Sequence, residues 1–190
     1  MLTWSMMRPR LFLPSLALFL VGTAVNAAEQ MTVLNLPLGG KLPQPIRVCK
    51  PQGLTDKEVK AMCWISAPFA YKGRKSGMVD LPGRDQRPRW AANATFNISV
   101  GPDNTLSKIN VTSFNGQAQT EIRNSISSRF GPPLPNPGGI VEWKRSDIYI
   151  RSYCSPAECR TEFLSPVEYA EWQGELDARK KKDLARPVAP

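Results

Sequence analysis

The stretch from Ala94 to Pro132 reads ATFNISV, GPDN, TLSKINVTSF and NGQAQTEIRNSISSRFGP. Ala94, Phe96, Ile98 and Val100 alternate with Thr95, Asn97 and Ser99, a period of two that predicts a strand with one buried face. Gly101-Pro102-Asp103-Asn104 suits a tight reversal, because proline presets φ while Asp and Asn bond their own backbone. The return strand carries Leu106, Ile109, Val111 and Phe114, and its alternation slips on each side of Ile109 and Val111, which predicts a bulge or a frayed end. Ala118, Ile122, Ile126 and Phe130 then recur at four-residue spacing, one helical stripe. Asn115 is its expected N-cap, and Phe130-Gly131-Pro132-Pro133 ends it. A hairpin buried on one face needs a cover, and this helix is the nearest element to supply it.

The start of the chain is read as a leader. Arg8 and Arg10 precede an apolar run from Leu11 to Val21, and small residues at the minus-one and minus-three positions fit a cut after Ala27. The run is too short to span a bilayer. Residues 1–27 are therefore assigned to a signal peptide, 28–183 to one exported α+β domain and 184–190 to a loose tail. All four cysteines, Cys49, Cys63, Cys154 and Cys159, fall in the exported part, where an even count predicts two disulfides. Of three possible pairings, closeness in sequence favours Cys49–Cys63 with Cys154–Cys159.

Outward from the centre, Thr55 and Glu58 form a capping box, predicting a short helix through Cys63 that ends at Ala67-Pro68. Phe69 to Trp90 reads as irregular and basic, with a short strand within Gly77 to Pro82. After the central helix, Ile140 to Trp143, Ile148 to Cys154 and Cys159 to Leu164 predict a three-stranded meander. Ser165, Pro166 and Glu168 mark the start of a last helix, with Tyr169, Trp172 and Leu176 as its apolar stripe and Lys180, Lys181 and Lys182 near its end. The class that emerges is α+β: antiparallel sheet with helices packed on one face, arranged as two tandem helix-plus-three-strand units, 55–114 and 116–164, plus the C-terminal helix.

The run from Ile126 to Trp143, a helix ending in Arg-Phe-Gly-Pro-Pro and followed by a strand ending in Trp, resembles the tandem modules of β-lactamase-inhibitor-like proteins and of small outer-membrane assembly lipoproteins. The likeness is one of element order. It implies a binding protein and not an enzyme. Two departures stand out: no cysteine follows the leader cut to carry a lipid, and each module has one helix where those families often have two.

The residues point away from catalysis as well. The chain has no histidine, which removes His-based triads, His general bases and most zinc sites. There is no phosphate-binding glycine loop and no Gly-x-Ser-x-Gly elbow. No cofactor and no metal site are expected. The triplets beginning at Asn93, Asn97 and Asn110 match the glycosylation pattern, which matters only in a eukaryotic secretory route.

Charge is the sharpest anomaly. The net charge of +9 falls to +7 without Arg8 and Arg10. Lys41 to Trp90 holds 11 basic and 4 acidic residues, while the remainder beyond residue 27 holds 12 of each. The excess thus sits in one third of the exported chain. Lys72, Arg74, Lys75, Arg84, Arg87 and Arg89, flanked by Phe69, Tyr71 and Trp90, form either a solvated surface or a docking face for something acidic. The functional expectation is a periplasmic or secreted, disulfide-stabilised accessory protein of the cell envelope that binds another protein. The alternatives are a binder of anionic polymer or lipid headgroups through residues 72–89, or an inhibitor of an envelope enzyme. Nucleic acid is not an expected partner, and no membrane span is expected once the leader is gone. The leader assignment predicts that exported protein begins at or near Ala28; an intact mass that retains Leu11 to Val21 would overturn it.

Overall fold

The structure, a computed structural model, describes residues 32–49, 61–83, 87–136 and 138–184. The leader, the capping box at Thr55 and Glu58, Arg84 and the chain beyond Leu184 lie outside the described residues. In chain order the strands are β1 (Thr32–Val33), β2 (Leu36–Pro37), β3 (Arg47–Val48), β4 (Cys63–Trp64), β5 (Phe69–Tyr71), β6 (Arg74–Asp80), β7 (Thr95–Val100) and β8 (Leu106–Ser113). Helix α1 (Gln119–Phe130) follows, then β9 (Ile140–Lys144), β10 (Tyr149–Cys154), β11 (Cys159–Leu164) and α2 (Pro166–Leu184).

The α+β class read from the sequence holds. β1 and β2 pair as a small hairpin, and the other nine strands form one mostly antiparallel sheet. Its path runs β3-β4-β6-β7-β8-β11-β10-β9, with β5 also paired to β6; only β3 and β4 run parallel. The two meanders, β6 to β8 and β9 to β11, meet through their last strands. β8 and β11 pair antiparallel from Lys108–Leu164 to Ser113–Cys159.

Strand register sets two unlike faces. Ile98, Ile109, Phe163, Ile150 and Trp143 stand opposite one another in a row across β7, β8, β11, β10 and β9, all at 3% exposure or less. Each such side chain contributes about 1.5–3 kcal/mol by leaving water. Phe96, Val111, Thr161 and Ser152 form the next row, where the Ser152 and Thr161 hydroxyls satisfy each other at 3.0 Å. This first face is covered by α1 through Ile122 and Ile126, and the Trp143 indole N–H donates to Ser127 Oγ at 3.2 Å. The second face carries Lys108, Asn110, Glu162, Arg151, Glu142 and Tyr149, and α2 lies on it. The helices therefore take opposite faces of the sheet, not one face as the sequence suggested.

The turns explain the register. Asn104 adopts a φ of 67°, Thr105 donates its hydroxyl to Asp103, and Leu42 and Asn104 exchange hydrogen bonds that pin the N-terminal strap to this turn. Ser107 is the extra residue where Ser99 pairs with Lys108 and Val100 with Leu106, the bulge that the slipped alternation signalled. Asn115 caps the turn before α1 by accepting from Gln117 N–H, and Ser165 Oγ accepts from Glu168 N–H at the start of α2.

Two sequence expectations fail here. The helix expected to run through Cys63 to Ala67 is not present over residues 61–67. Cys63 and Trp64 are extended and pair with Asp80 and Val79, and Trp64 is 2% exposed in the core. The segment from Phe69 onward is regular where it was read as irregular. β5 and β6 form a hairpin whose two turn residues, Lys72 and Gly73, have φ of 48° and 76°. That is the mirror-image turn that matches strand twist.

Both disulfides have the pairing favoured above, Cys49–Cys63 and Cys154–Cys159. The first clips β4 to the end of β3; the second closes the β10–β11 hairpin. The closed tip packs on the turn before α1, so a Cβ on Gly116 would fall inside van der Waals distance of the Ser155 and Pro156 carbonyl oxygens. Gly116→Ala should therefore lower stability by about 1–3 kcal/mol, read as a lower urea midpoint with unchanged slope, whereas Gly174→Ala, whose Cβ meets nothing, should not.

Candidate docking face

The basic cluster does not fold into one patch. β6 runs between its two halves, separating them by about 20 Å at the usual rise per residue. Lys72, Arg74 and Lys75 lie at the β5–β6 tip; Arg87 and Arg89 lie beyond the other end. Arg74 turns toward α2 and pairs with Glu168 at 2.9 Å and Glu171 at 2.5 Å. Arg87 is a buried cation, its side chain 9% exposed, stacked over Phe96 at 4.8 Å, near Asp80 at 3.8 Å and donating to the Leu81 carbonyl. Lys72, Lys75 and Arg89 are exposed, and Lys72 Nζ stands 5.2 Å over the Tyr71 ring. Trp90, expected beside the cluster as an anchor, is in the core.

What the structure does gather is apolar. Phe69 and Tyr71 stand opposite Ser76 and Arg74, on the second face of the sheet. They are 70% and 60% exposed and stack at 6.5 Å. Met78 shares that face by alternation along β6. Ile65, one residue past buried Trp64, turns to the same side, and its N–H donates to the Met78 carbonyl. Both are exposed. At the far side of the sheet Tyr153 and Ile140, opposite each other, are exposed as well. Between Met78 and Tyr153 lie Thr95, Asn97, Thr112 and Arg160, each at least partly exposed.

Helix α2 covers only the other half of this face, and the way it is held shows why it stops there. Tyr149, Tyr169 and Trp172 stack on one another, with centroids 4.2 and 5.7 Å from Tyr149. Lys144 lies over Tyr169 at 5.1 Å and Arg151 over Trp172 at 4.6 Å. Arg151 also bonds Glu162, which pairs with Lys108 at 3.0 Å. No residue of α2 is fully buried, and from Asp177 to Leu184 every residue is exposed. The helix is seated through its first three turns, over Tyr149, Arg151 and Arg74, and its last two turns run clear of the sheet.

The open half is about 24 Å across six strands and about 13 Å along them. That is roughly 300 Å², the size of a functional patch and below the ~800 Å² that a stable partner covers on each side. A tightly held partner must therefore also touch the β5–β6 tip or α2. Among the described residues no three metal-ligating side chains converge, and no helix is long and apolar enough to cross a membrane.

Sequence reasoning missed this face because Phe69 and Tyr71 were weighed as companions of the basic residues. The Lys72-Gly73 pair after Phe69-Ala70-Tyr71, a dipeptide suited to a tight hairpin turn, was the signal that could have placed them on a strand.

No family model matches the chain, and no curated protein or solved structure matches it either.

The electrostatics beneath α2 give a testable consequence. Burial by itself would raise the Glu162 pKa, but the Arg151 hydrogen bond and the Lys108 ammonium outweigh it and hold the carboxyl below the usual carboxylate range. A folded-state pKa below the unfolded one stabilises the fold above the ordinary carboxylate value, and that contribution is lost as pH falls through the depressed one. Stability should therefore drop through the acid range. Glu162→Gln should cost about 1–3 kcal/mol at neutral pH and flatten the acid limb, measured by urea unfolding between about pH 3 and 7.

Proposed function

We propose that this chain is an exported binding protein of the periplasm or the secreted space, and that it docks another protein on the exposed β4–β5–β6 margin of its second sheet face. The observation that carries the reading is the exposed pair Phe69 and Tyr71, stacked on a strand at the margin of the sheet and continued by Ile65 and Met78 on the same face. Apolar side chains held on a rigid strand lose little conformational entropy on contact, and aromatics dominate binding energy where they fill a partner's pockets. Lys72 at the adjoining turn, on a chain whose net charge is +7 without Arg8 and Arg10, favours a partner whose docking surface is acidic. The apolar leader and the two disulfides support an oxidising, exported setting, and the absence of histidine supports binding over catalysis.

A photo-crosslinking residue at position 69 should capture a partner from envelope extract, one at exposed Val167 should not, and the double variant Phe69→Ser with Tyr71→Ser should abolish the capture. Exposed apolar residues contribute little to the fold, so the melting temperature of the double variant should stay within a few degrees. Capture that survives the double substitution sinks the reading. Binding that needs only anionic vesicles, with no protein crosslinked, moves the function to a lipid or polymer surface.

A further inference from the structure

The docking margin has a backbone edge as well as exposed rings. Among the described residues β5 pairs only with β6, whereas β4, on the same side of β6, is covered in turn by β3. The register tells which way the β5 backbone points. The Lys72-Gly73 turn makes Tyr71 and Arg74 a hydrogen-bonded pair, and such pairs alternate along an antiparallel ladder. The Met78 carbonyl, which accepts from Ile65 N–H, sits on the same alternation, so Arg74, Ser76 and Met78 address this margin and Lys75 does not. Ala70, opposite Lys75, therefore turns its N–H and C=O away from β6. Neither group is hydrogen-bonded among the described residues.

An open edge is a template for another strand, and proteins usually close theirs. The opposite margin of this sheet is closed: Leu134 N–H donates to the Glu142 carbonyl on the outer side of β9 at 2.7 Å. β5 has no such cover among the described residues, and Phe69, Ala70 and Tyr71 are all exposed. The side chains along this edge divide between the faces. Phe69 and Tyr71 stand on the second face. Ala70 stands on the first, beside Lys75, which is exposed and makes no ion pair among the described residues. The alanine methyl is too short to screen that ammonium from a strand laid alongside.

We infer that β5 receives an extended segment of the partner protein as an added antiparallel strand, with a carboxylate residue opposite Ala70 and an apolar residue on each side of it. The inference rests on the docking reading and names what the docked partner presents. Antiparallel pairing is the stronger arrangement per residue, and in it the residue opposite Ala70 exchanges both backbone hydrogen bonds with it. The side chain of that residue falls on the first face, toward Lys75. Its two neighbours fall on the second face, against Phe69 and Tyr71. β5 is already held by β6 and a two-residue turn, so the template is ordered before the segment arrives.

The probe is the blocked peptide Thr-Val-Glu-Val-Thr, titrated into the disulfide-bonded protein with amide exchange followed by NMR. The Ala70 amide should exchange fast in the free protein and slow as the peptide saturates. Methylating the backbone nitrogen of the peptide's glutamate should weaken binding at least tenfold, since it removes the donor to Ala70. Lysine in place of that glutamate should weaken it about fivefold. Ala70→Pro should also weaken binding at least tenfold and leave the melting temperature within a few degrees, because proline is tolerated where an edge N–H faces solvent. Four results overturn the inference: an Ala70 amide already slow in the free protein, no saturable binding up to about 1 mM, equal affinity for the methylated peptide, or equal affinity of Ala70→Pro. Should Ala70→Pro fail to fold, the methylated peptide decides on the unaltered chain. Partner capture at position 69 that survives Ala70→Pro sinks the added strand and leaves the docking reading standing. Capture that survives loss of both rings but not Ala70→Pro sinks that reading instead.

Discussion

The structure depends on the pairing of β8 with β11. Each meander alone is a three-stranded ribbon with one apolar face, and each is assembled through short local turns. Joining their last strands turns two half-cores into one. Ile109 on β8 stands opposite Phe163 on β11, and both are closed from water by neighbours contributed from the two halves. On the reverse side the same strand pair brings Lys108 beside Glu162, and Glu162 beside Arg151. The seam is thus fixed twice, by apolar burial on one face and by a charge triad on the other. A one-residue slip would send Phe163 into that triad and Glu162 into the core, so the register admits no near alternative.

The two faces then diverge. The first face is sealed by α1 and the N-terminal strap, with buried Leu38 and Leu42 packed into the core beside Val33. The second receives α2 through stacked rings and cations lying over them, a form of contact that keeps polar atoms near water while covering area. Such a contact does not require a fully apolar strip on the helix, which is why α2 has none buried. It also ends where its partners end. Tyr149, Arg151, Lys144 and Arg74 all lie toward one end of the strands, and past them the sheet face is left uncovered.

Much of this was legible in the sequence because it is local. Strand alternation in Thr95–Val100, the Asp103 and Asn104 turn, the Asn115 and Ser165 caps and the Cys154–Cys159 hairpin each follow from a few adjacent residues. What stayed hidden is non-local. The capping box at Thr55 argued for a helix through Cys63, but pairing with β6 and burial of Trp64 hold residues 63–64 extended, a tertiary demand that local propensity does not contain. The placement of α2 on the reverse face rests on Tyr149, Arg151 and Lys144 being neighbours of Tyr169 and Trp172, a contact between elements with no periodic signature. The basic third of the chain looked like one patch because counting charge along a sequence ignores that β6 is extended. A strand of seven residues carries its two ends apart, and it left Arg74 bound to α2 and Arg87 tucked over Phe96.

The disulfides fit this division of labour. Neither disulfide crosses the β8–β11 seam. Cys154–Cys159 closes a hairpin tip whose backbone meets Gly116, with Cys159 itself buried at the end of the seam. Cys49–Cys63 sits at the opposite margin, on β4, which shares β6 with the hairpin that presents Phe69 and Tyr71. With a sequence separation of 14 it contributes about 3 kcal/mol by the chain-entropy account. That is a substantial fraction of the net stability of a domain, spent on a margin whose short strands bury little. A partner gains most from a surface that is already ordered, since ordering it on contact subtracts from affinity. The bridge holds β4, and with it Ile65, against β6 before any partner arrives. The covalent link sits away from the core seam, on the margin strand that carries Ile65 against Met78, the arrangement that a preorganised docking margin requires.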